Sequence, residues 1–414
     1  MMRRVAVTGL GAVTPIGNNV ADMWRSVKEG VCGIAPITHY DTTGRKVTLA
    51  AEVKEFHPEE MIDKKELRRM DRFTQFAAVA AKEAIEDAGL LMEQENPKRC
   101  GVVVSSGIGG IDLIQEFTIT GEKKGYDRIS PLFIPMSISN IAAGQLAITY
   151  GFRGMCSCPV TACAGGTNAI GDAFHYIRDG YAEVMLCGGT EACITPLGMG
   201  GFTVMKALSA GTDPNRASIP FDAERSGFVM GEGAGILVLE EYEHAVRRGA
   251  RIYCELVGYG ATCDANHITA PLEDGSGAAD CMTLALEDAK LRPADITYIN
   301  AHGTSTPLND RCETNAIKTA FGSHAGEVMV SSTKAMTGHM LGAAGAVEGI
   351  ISALSVCSDY VPATINYRTP DEQCDLDIVP NTGRDTVVDC AMSNSLGFGG
   401  HNASIIFKKC ENGR

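Results

Sequence analysis

No stretch of the 414-residue sequence offers ~18 uninterrupted apolar residues, so no membrane-spanning helix is expected. Positive charge is in short supply. The chain has 36 Lys and Arg against 50 Asp and Glu, and the resulting charge of −14 argues against nonspecific binding to nucleic acid or anionic membranes. Metal clips are missing as well: the 15 cysteines are scattered, without paired Cys-x-x-Cys motifs or a His-x-x-x-His partner. The tightest group, Cys156, Cys158 and Cys163, has poor zinc spacing and meets no histidine before His175. No secretory leader is expected, because the apolar start Val5-Ala6-Val7 is soon broken by Gly9, Gly11, Thr14 and Pro15 and lacks a clear cleavage site. An odd number of cysteines without such a leader points to reduced thiols and a cytoplasmic location. No low-complexity segment or long linker interrupts the chain.

What is present suits a folded protein of two or three domains. A chain this long buries roughly three quarters of its unfolded surface and needs no covalent staple. Hydrophobic residues at 45% and charged residues at 21% exclude disorder. The 47 glycines stand in short runs, such as Gly107-Ile108-Gly109-Gly110 and Gly397-Phe398-Gly399-Gly400, and mark tight turns.

β-Branched apolar runs alternate with amphipathic helices, which predicts an α/β fold. Arg72–Leu90 reads as a helix stopped at Gly89, and Cys100–Ser105 and Tyr181–Leu186 as buried strands. A helix is expected from about Ala164 to Arg178. Ser226–Met230 and Ile236–Glu240 read as two strands joined by a glycine cluster. That cluster precedes a strand rather than a helix, so it is no phosphate loop. Near Ile252 the pattern restarts: Glu255–Thr262 echoes Val5–Ala12, and a helix at Ala278–Leu291, strands at Ile296–Asn300 and Val328–Ser331 and a helix at Ala343–Cys357 follow. The order of elements implies an internal duplication, with halves 1–251 and 252–414.

Three junctions put reactive side chains just past a strand. Cys163, flanked by small residues at the start of a helix, meets free backbone N–H groups and the helix dipole, which favour a thiolate. A buried structural cysteine fits the same segment equally well. His302 lies in Asn300-Ala301-His302-Gly303-Thr304-Ser305-Thr306, and His339 closes Ser332-Thr333-Lys334-Ala335-Met336-Thr337-Gly338-His339. Taken singly, each histidine is more often structural than catalytic. Taken together, the duplicated topology lets Cys163, His302 and His339 converge, and a nucleophile with two neutral imidazole donors is equipment for acyl transfer without metal or redox chemistry. His267, on a turn, is a further candidate to approach a cleft.

Together with Thr161-Ala162-Cys163-Ala164-Gly165-Gly166 and Asn394-Ser395-Leu396-Gly397-Phe398-Gly399-Gly400, these motifs resemble those of the β-ketoacyl-[acyl-carrier-protein] synthases, the elongating condensing enzymes of fatty-acid synthesis, and most of all the synthase II group. The resemblance spans essentially the whole chain. It implies a thiolase-like α/β fold with two pseudo-repeated halves in five αβαβα layers, a homodimer, acyl carrier protein as partner and no cofactor. It further implies that Cys163 carries the acyl chain, that His302 and His339 stabilise the decarboxylating malonyl group, and that the N–H groups of Cys163 and Phe398 form an oxyanion hole.

By the same resemblance, Lys334 supports the histidines, with Glu348 as a possible ion-pair partner. Phe398 gates the cysteine, Ile108 helps to set acyl-pocket depth, and Thr304 and Thr306 hold the pantetheine arm. The segment Asp63–Arg72 carries five positive and three negative charges. Lys64, Lys65, Arg68, Arg69 and Arg72 share one face if helical and, with Lys206, would steer the acidic carrier protein.

Leu396, where many synthases have phenylalanine, and His401, where others have threonine, depart from the pattern. Cys156, Cys158 and Cys193 are unusual companions of the active cysteine. A polyketide ketosynthase is the nearest rival. Initiation-type synthases, which pair cysteine with histidine and asparagine, and thiolases, which need a second catalytic cysteine, fit less well. A noncatalytic chain-length subunit would lack Cys163. No Asp-Ser-Leu phosphopantetheine site occurs, so no fused carrier domain is expected.

Overall fold

The computed structural model describes residues 2–410. Ten strands form one sheet: β1 (Val5–Val13), β2 (Cys100–Ser105), β3 (Cys156–Ser157), β4 (Val184–Glu191), β5 (Gly233–Glu241), β6 (Cys254–Cys263), β7 (Tyr298–Asn300), β8 (Met329–Ser331), β9 (Cys390–Gly397) and β10 (His401–Lys408). The helices that position the site are α1 (Arg72–Ala88), α2 (Ile111–Lys124), α3 (Ile141–Tyr150), α4 (Gly165–Arg178), α5 (Pro196–Val204), α6 (Ser276–Ala289), α7 (Pro307–Phe321) and α8 (Ala344–Ser358).

The spatial order is β8-β7-β9-β10-β6-β1-β5-β4-β2-β3. Each strand of the first five has its counterpart five places later in the chain. β1 and β6 lie side by side at the centre, antiparallel, and touch over only Val5–Val7. Outward from them, β5 and β10 are antiparallel additions, and β4-β2-β3 and β9-β7-β8 are parallel sets. The echo of Val5–Ala12 in Glu255–Thr262 is therefore structural: both segments are the central strand of a half.

The layers follow from which strand faces are apolar. All nine positions of β1 and all eight of β4 are buried, the mark of strands covered on both sides. α1 and α3 cover one outer face, α6 and α7 the other, and α4 and α8 lie between the two halves of the sheet. This is the five-layer αβαβα arrangement implied by the resemblance. α1 starts where the Asp71 carboxylate accepts the Phe73 N–H and ends at Gly89, which takes the left-handed conformation at φ 59°.

α8 has a composition unusual for a water-soluble helix. Leu341–Ser358, 18 residues, matches a membrane span in length and apolarity, but it is buried almost throughout between the sheet halves and contains the charged Glu348. It is a core helix. The central layer is tight where α4 and α8 begin. A Cβ on Gly166 would come within 2.7 Å of the Ala346 N, and one on Gly345 within 2.1 Å of the Thr167 hydroxyl oxygen. Only glycine permits the two helix N-termini to cross this closely.

One expected strand is absent. Ser226–Met230 makes isolated parallel bridges, Leu208 to Phe228 and Met230 to His339, instead of joining the sheet, and Gly233–Glu241 forms the single strand there. The segment leaves the sheet to brace the chain around His339: the His339 N–H donates to the Val229 carbonyl (2.7 Å) and the Gly231 N–H to the His339 carbonyl (2.9 Å). The other expected elements are present with shifted ends, Tyr181–Leu186 becoming Val184–Glu191, for example.

Substituting Gly166→Val would force the two central helices apart. Overpacking of this kind costs about 1–3 kcal/mol, and chemical denaturation should show a correspondingly lowered midpoint; a midpoint equal to that of the parent would contradict the tight crossing.

Candidate active site

The candidate residues all leave the carboxyl ends of parallel strands, where α/β sheets place their sites. Cys163 follows β3, His302 follows β7, His339 follows β8 and Phe398 follows β9. Cys163, His302, His339 and Phe398 line one cavity of about 380 Å³, together with Phe228, Thr304, Thr306, Leu341 and Leu396. The two imidazoles stand edge to face, with centroids 5.2 Å apart and planes at 85°.

Cys163 sits in a single 3₁₀ turn, Ala162–Ala164, immediately before α4. Ala162 has φ 50°, a strained value for a residue with a side chain, so the backbone makes a sharp elbow at the sulfur. Here the sequence expectation needs correction. Burial dominates and pushes the thiol pKa up to about 12; the positive charge of Lys334 and the backbone N–H groups of Phe398 and Cys163 favour the anion without overcoming desolvation, and Glu191 opposes it. At this buried position the cysteine rests as a thiol. The groups that would stabilise a sulfur anion or an oxyanion are nonetheless in place around it.

Both histidines are neutral. Burial, reinforced by Lys334, pushes each pKa well below the ordinary imidazole value, and His339 adds to the effect on His302. His302 is oriented through its backbone: the N–H groups of His302 and Gly303 each donate to the Glu313 carboxylate on α7, both at 2.7 Å. Lys334 is fully buried and ion-paired with Glu348 on α8. Burial raises the Glu348 carboxyl to about 7 against the pull of Lys334.

Phe398 occupies the tip of the hairpin between β9 and β10, its ring 6.3 Å from that of Phe202. A Cβ on Gly397 would approach the Thr161 carbonyl to 2.8 Å and the Cys163 N to 3.2 Å, so the tip closes on the cysteine only because that residue is glycine. The tip is latched to a neighbouring loop: the Gly399 N–H donates to the Ile268 carbonyl and the Asp264 N–H to the Gly400 carbonyl, each at 2.8 Å, while Asn402 Nδ2 donates to Asp264 Oδ1 at 2.7 Å. His267 does not line the cavity; its Nδ1 accepts the N–H groups of Thr269 and Ala270, which do.

The remaining expected residues divide. Thr304 and Thr306 line the cavity, their hydroxyls 3.0 Å apart, and Lys206 is exposed at its rim. Ile108 lies beside the cavity, in the apolar cluster that also holds Cys163, Cys193, Ile194, Met199 and Leu341. Lys64, Lys65, Arg68 and Arg69 are exposed but outside the lining.

The continuous basic helix face is not formed. Helix extends only over Lys64–Leu67, because Asp71 caps a new helix, and Arg72 turns inward to pair with the buried Glu232 at 2.8 Å. Cys156 is exposed on β3, and the Cys158 thiol faces the Ser139 carbonyl. Glu313 and Glu191 escaped the sequence reading, and the 264–272 loop, noted there only for His267, reaches the cavity through Asp264 and residues 269–271 instead. Glu313 sits one helical stretch beyond His302, but nothing in its spacing says that its carboxylate turns back onto the backbone.

Comparison with known proteins places these features in context. Residues 2–245 match the β-ketoacyl synthase N-terminal domain and residues 253–368 the C-terminal domain of the same synthase. The chain is 52% identical to 3-oxoacyl-[acyl-carrier-protein] synthase 2 of Synechocystis, over 98% of each chain. It is also 52% identical to the protein of that name from Staphylococcus aureus, over 99% of each. Among solved structures, a type II polyketide ketosynthase in complex with its acyl-carrier protein superposes with a TM-score of 0.92 at 37% identity, over 99% of this chain and 100% of that one. A β-ketoacyl synthase from Burkholderia phymatum does so with a TM-score of 0.92 at 34% identity, with the same coverage.

Lys334→Met would leave Glu348 buried without its cation, a loss of about 3–5 kcal/mol. The double variant Lys334→Met, Glu348→Met should recover most of that stability in denaturant titrations. Equal stability of the single variant and the parent would contradict the buried pair.

Proposed function

The chain belongs to the β-ketoacyl synthase family, and on that premise we propose how its residues carry out the elongating 3-oxoacyl-[acyl-carrier-protein] synthase reaction of fatty-acid synthesis. The observation that carries this reading is the cavity shared by one cysteine and two neutral imidazoles and lined by an aromatic ring on a glycine-rich hairpin.

Acyl carrier protein delivers the acyl chain. Cys163 sulfur attacks the thioester carbonyl, the carbon–sulfur bond to the carrier breaks, and the proton of Cys163 leaves with the carrier thiol. The N–H groups of Cys163 and Phe398 hold the oxyanion of this step. Malonyl carrier protein then enters. Its carbon–carbon bond to the carboxylate breaks, carbon dioxide departs, and negative charge develops on the thioester oxygen.

A neutral imidazole donates a hydrogen bond to such a charge without surrendering a net proton, so the depressed pKa values of His302 and His339 suit the role. The nucleophilic carbon attacks the acyl-Cys163 carbonyl. The Cys163–carbonyl bond breaks, the released sulfur takes up a proton from solvent to restore the resting thiol, and the product leaves two carbons longer on the carrier. Lys334 acts through its field on Cys163 and both histidines. Phe398 swings on its hairpin to admit substrate, Thr304 and Thr306 hold the pantetheine arm, and Ile108 bounds the acyl pocket.

The nucleophile belongs to an N-terminal half, 1–251, and both histidines to a C-terminal half, 252–414. The enzyme works as a homodimer. The exposed edge strand β3 supports this, as do the exposed Ile148 on the helix packed against it and Val160 just beyond it, since unpaired edges and apolar patches are natural contact surfaces. The free state of the cysteines supports a cytoplasmic location. Lys206 at the rim, together with Lys64, Lys65, Arg68 and Arg69, receives the acidic carrier.

Incubation with acyl and malonyl carrier proteins should yield a 3-oxoacyl product, with mass spectrometry placing the acyl group on Cys163; label on another cysteine would overturn the assignment. His302→Ala and His339→Ala should each lower kcat about 100- to 1000-fold, the cost of removing one oxyanion donor, with Cys163 still acylated. Charge reversal, Lys65→Glu with Arg69→Glu, should raise KM for carrier-borne substrates, most at low salt; an unchanged KM at low and high salt would remove that patch from the docking surface.

A further inference from the structure

Glu191 ends β4 and is completely buried. Its surroundings are unusual for a buried carboxylate: three backbone N–H groups, the Ser106 hydroxyl and the Cys193 thiol reach it as donors, and no salt bridge to it occurs among the described residues. Oε2 accepts the backbone N–H of Gly107 (2.8 Å) and of Gly342 (3.0 Å). Oε1 accepts the Ser106 hydroxyl (3.0 Å) and the Ile108 N–H (3.3 Å). Ser106 in turn accepts the Gly109 N–H at 3.0 Å, which extends the cradle along the turn. Burial raises the Glu191 pKa above the usual carboxylate range, and these donors oppose that rise.

Apart from Cys193, the donors come from two separate parts of the chain. Ser106–Gly109 is the turn that carries Ile108 and leads into α2. Gly342 lies three residues beyond His339, next to Leu341, which has the strained φ of 45° for a residue with a side chain. Leu341 belongs to the apolar cluster that contains Cys163, and the partly buried Ile108 packs against that cluster. One carboxylate oxygen thus bridges the turn on the acyl side and the segment on the histidine side. The junction leaves no slack: a Cβ on either Gly107 or Gly342 would stand 2.9 Å from Oε2, and one on Gly342 would come within 2.6 Å of the Gly107 N.

We propose that Glu191 is a positioning residue that locks the acyl-pocket turn to the segment bearing His339, so that both half-reactions depend on one carboxylate that touches neither substrate. This rests on the functional reading above. A glutamine at this place keeps the shape but turns an NH2 group toward N–H or O–H donors, so part of the cradle loses its acceptor.

The test is a single-turnover comparison of parent, Glu191→Gln and Gly342→Ala, with folding checked by circular dichroism. Acylation of Cys163 is followed by mass spectrometry, and condensation is followed separately by adding malonyl carrier protein to pre-acylated enzyme. Glu191→Gln should be slowed in both half-reactions, with condensation kcat down about 100-fold, the scale of an ångström-sized misplacement, and KM for malonyl carrier protein little changed. Gly342→Ala, which presses the same junction from the histidine side, should show the same condensation defect.

Condensation at the parent rate in folded Glu191→Gln would overturn the proposal, as would a defect confined to acylation. If Glu191→Gln does not fold, parent-like condensation by Gly342→Ala overturns it and a slowed rate upholds it. The parent enzyme separates the two levels of inference. Absence of acyl-Cys163 and 3-oxoacyl product in the parent refutes the functional reading, whereas an active parent matched by equally active variants refutes only the role of Glu191.

Discussion

Two helix N-termini meet at the centre of this molecule, and the contact exists because Gly166 and Gly345 lack side chains. α4 begins directly after Cys163, and α8 begins five residues after His339. Their crossing sets how far Cys163 stands from the imidazoles, while the sheet halves on either side fix the directions from which the loops arrive. The cavity at this crossing gathers residues distant in the chain, Cys163 from just before α4 and both histidines from the segments after β7 and β8.

The same burial that brings the groups together decides their charge. Desolvation favours neutral forms, so the thiol keeps its proton and the imidazoles lose theirs. One cation, Lys334, is retained at the centre by its ion pair with Glu348, and its field lowers the pKa of the thiol and of both imidazoles. For a reaction that develops negative charge first on one thioester and then on another, a buried cysteine beside neutral donors and a fixed positive charge is well matched.

Much of this was legible in the sequence. Strand, turn and small residues singled out Cys163, His302 and His339, which the fold gathers round one cavity, and the echo of the first strand in Glu255–Thr262 marked the two strands that pair at the centre of the sheet. What escaped were features set by tertiary contact. Helix-dipole reasoning placed Cys163 on the thiolate side, because a linear sequence does not display the desolvation that outweighs the dipole. The basic run from Lys64 to Arg72 read as one helix face, because the capping role of Asp71 and the inward pull of Glu232 on Arg72 come from elsewhere in the fold. Ser226–Met230 has strand composition, yet it braces His339. Glu191 and Glu313 gave no signal, since each acts on backbone N–H groups distant in the chain or turned back on it.

The most direct test is a structure of the Cys163 acyl-enzyme bound to a malonyl thioester analogue that does not decarboxylate. The account predicts the analogue's thioester oxygen within hydrogen-bond distance of ring nitrogens of both His302 and His339, and the acyl carbonyl oxygen facing the N–H groups of Cys163 and Phe398. An analogue oxygen that meets neither imidazole, with the acyl group still on Cys163, would contradict it.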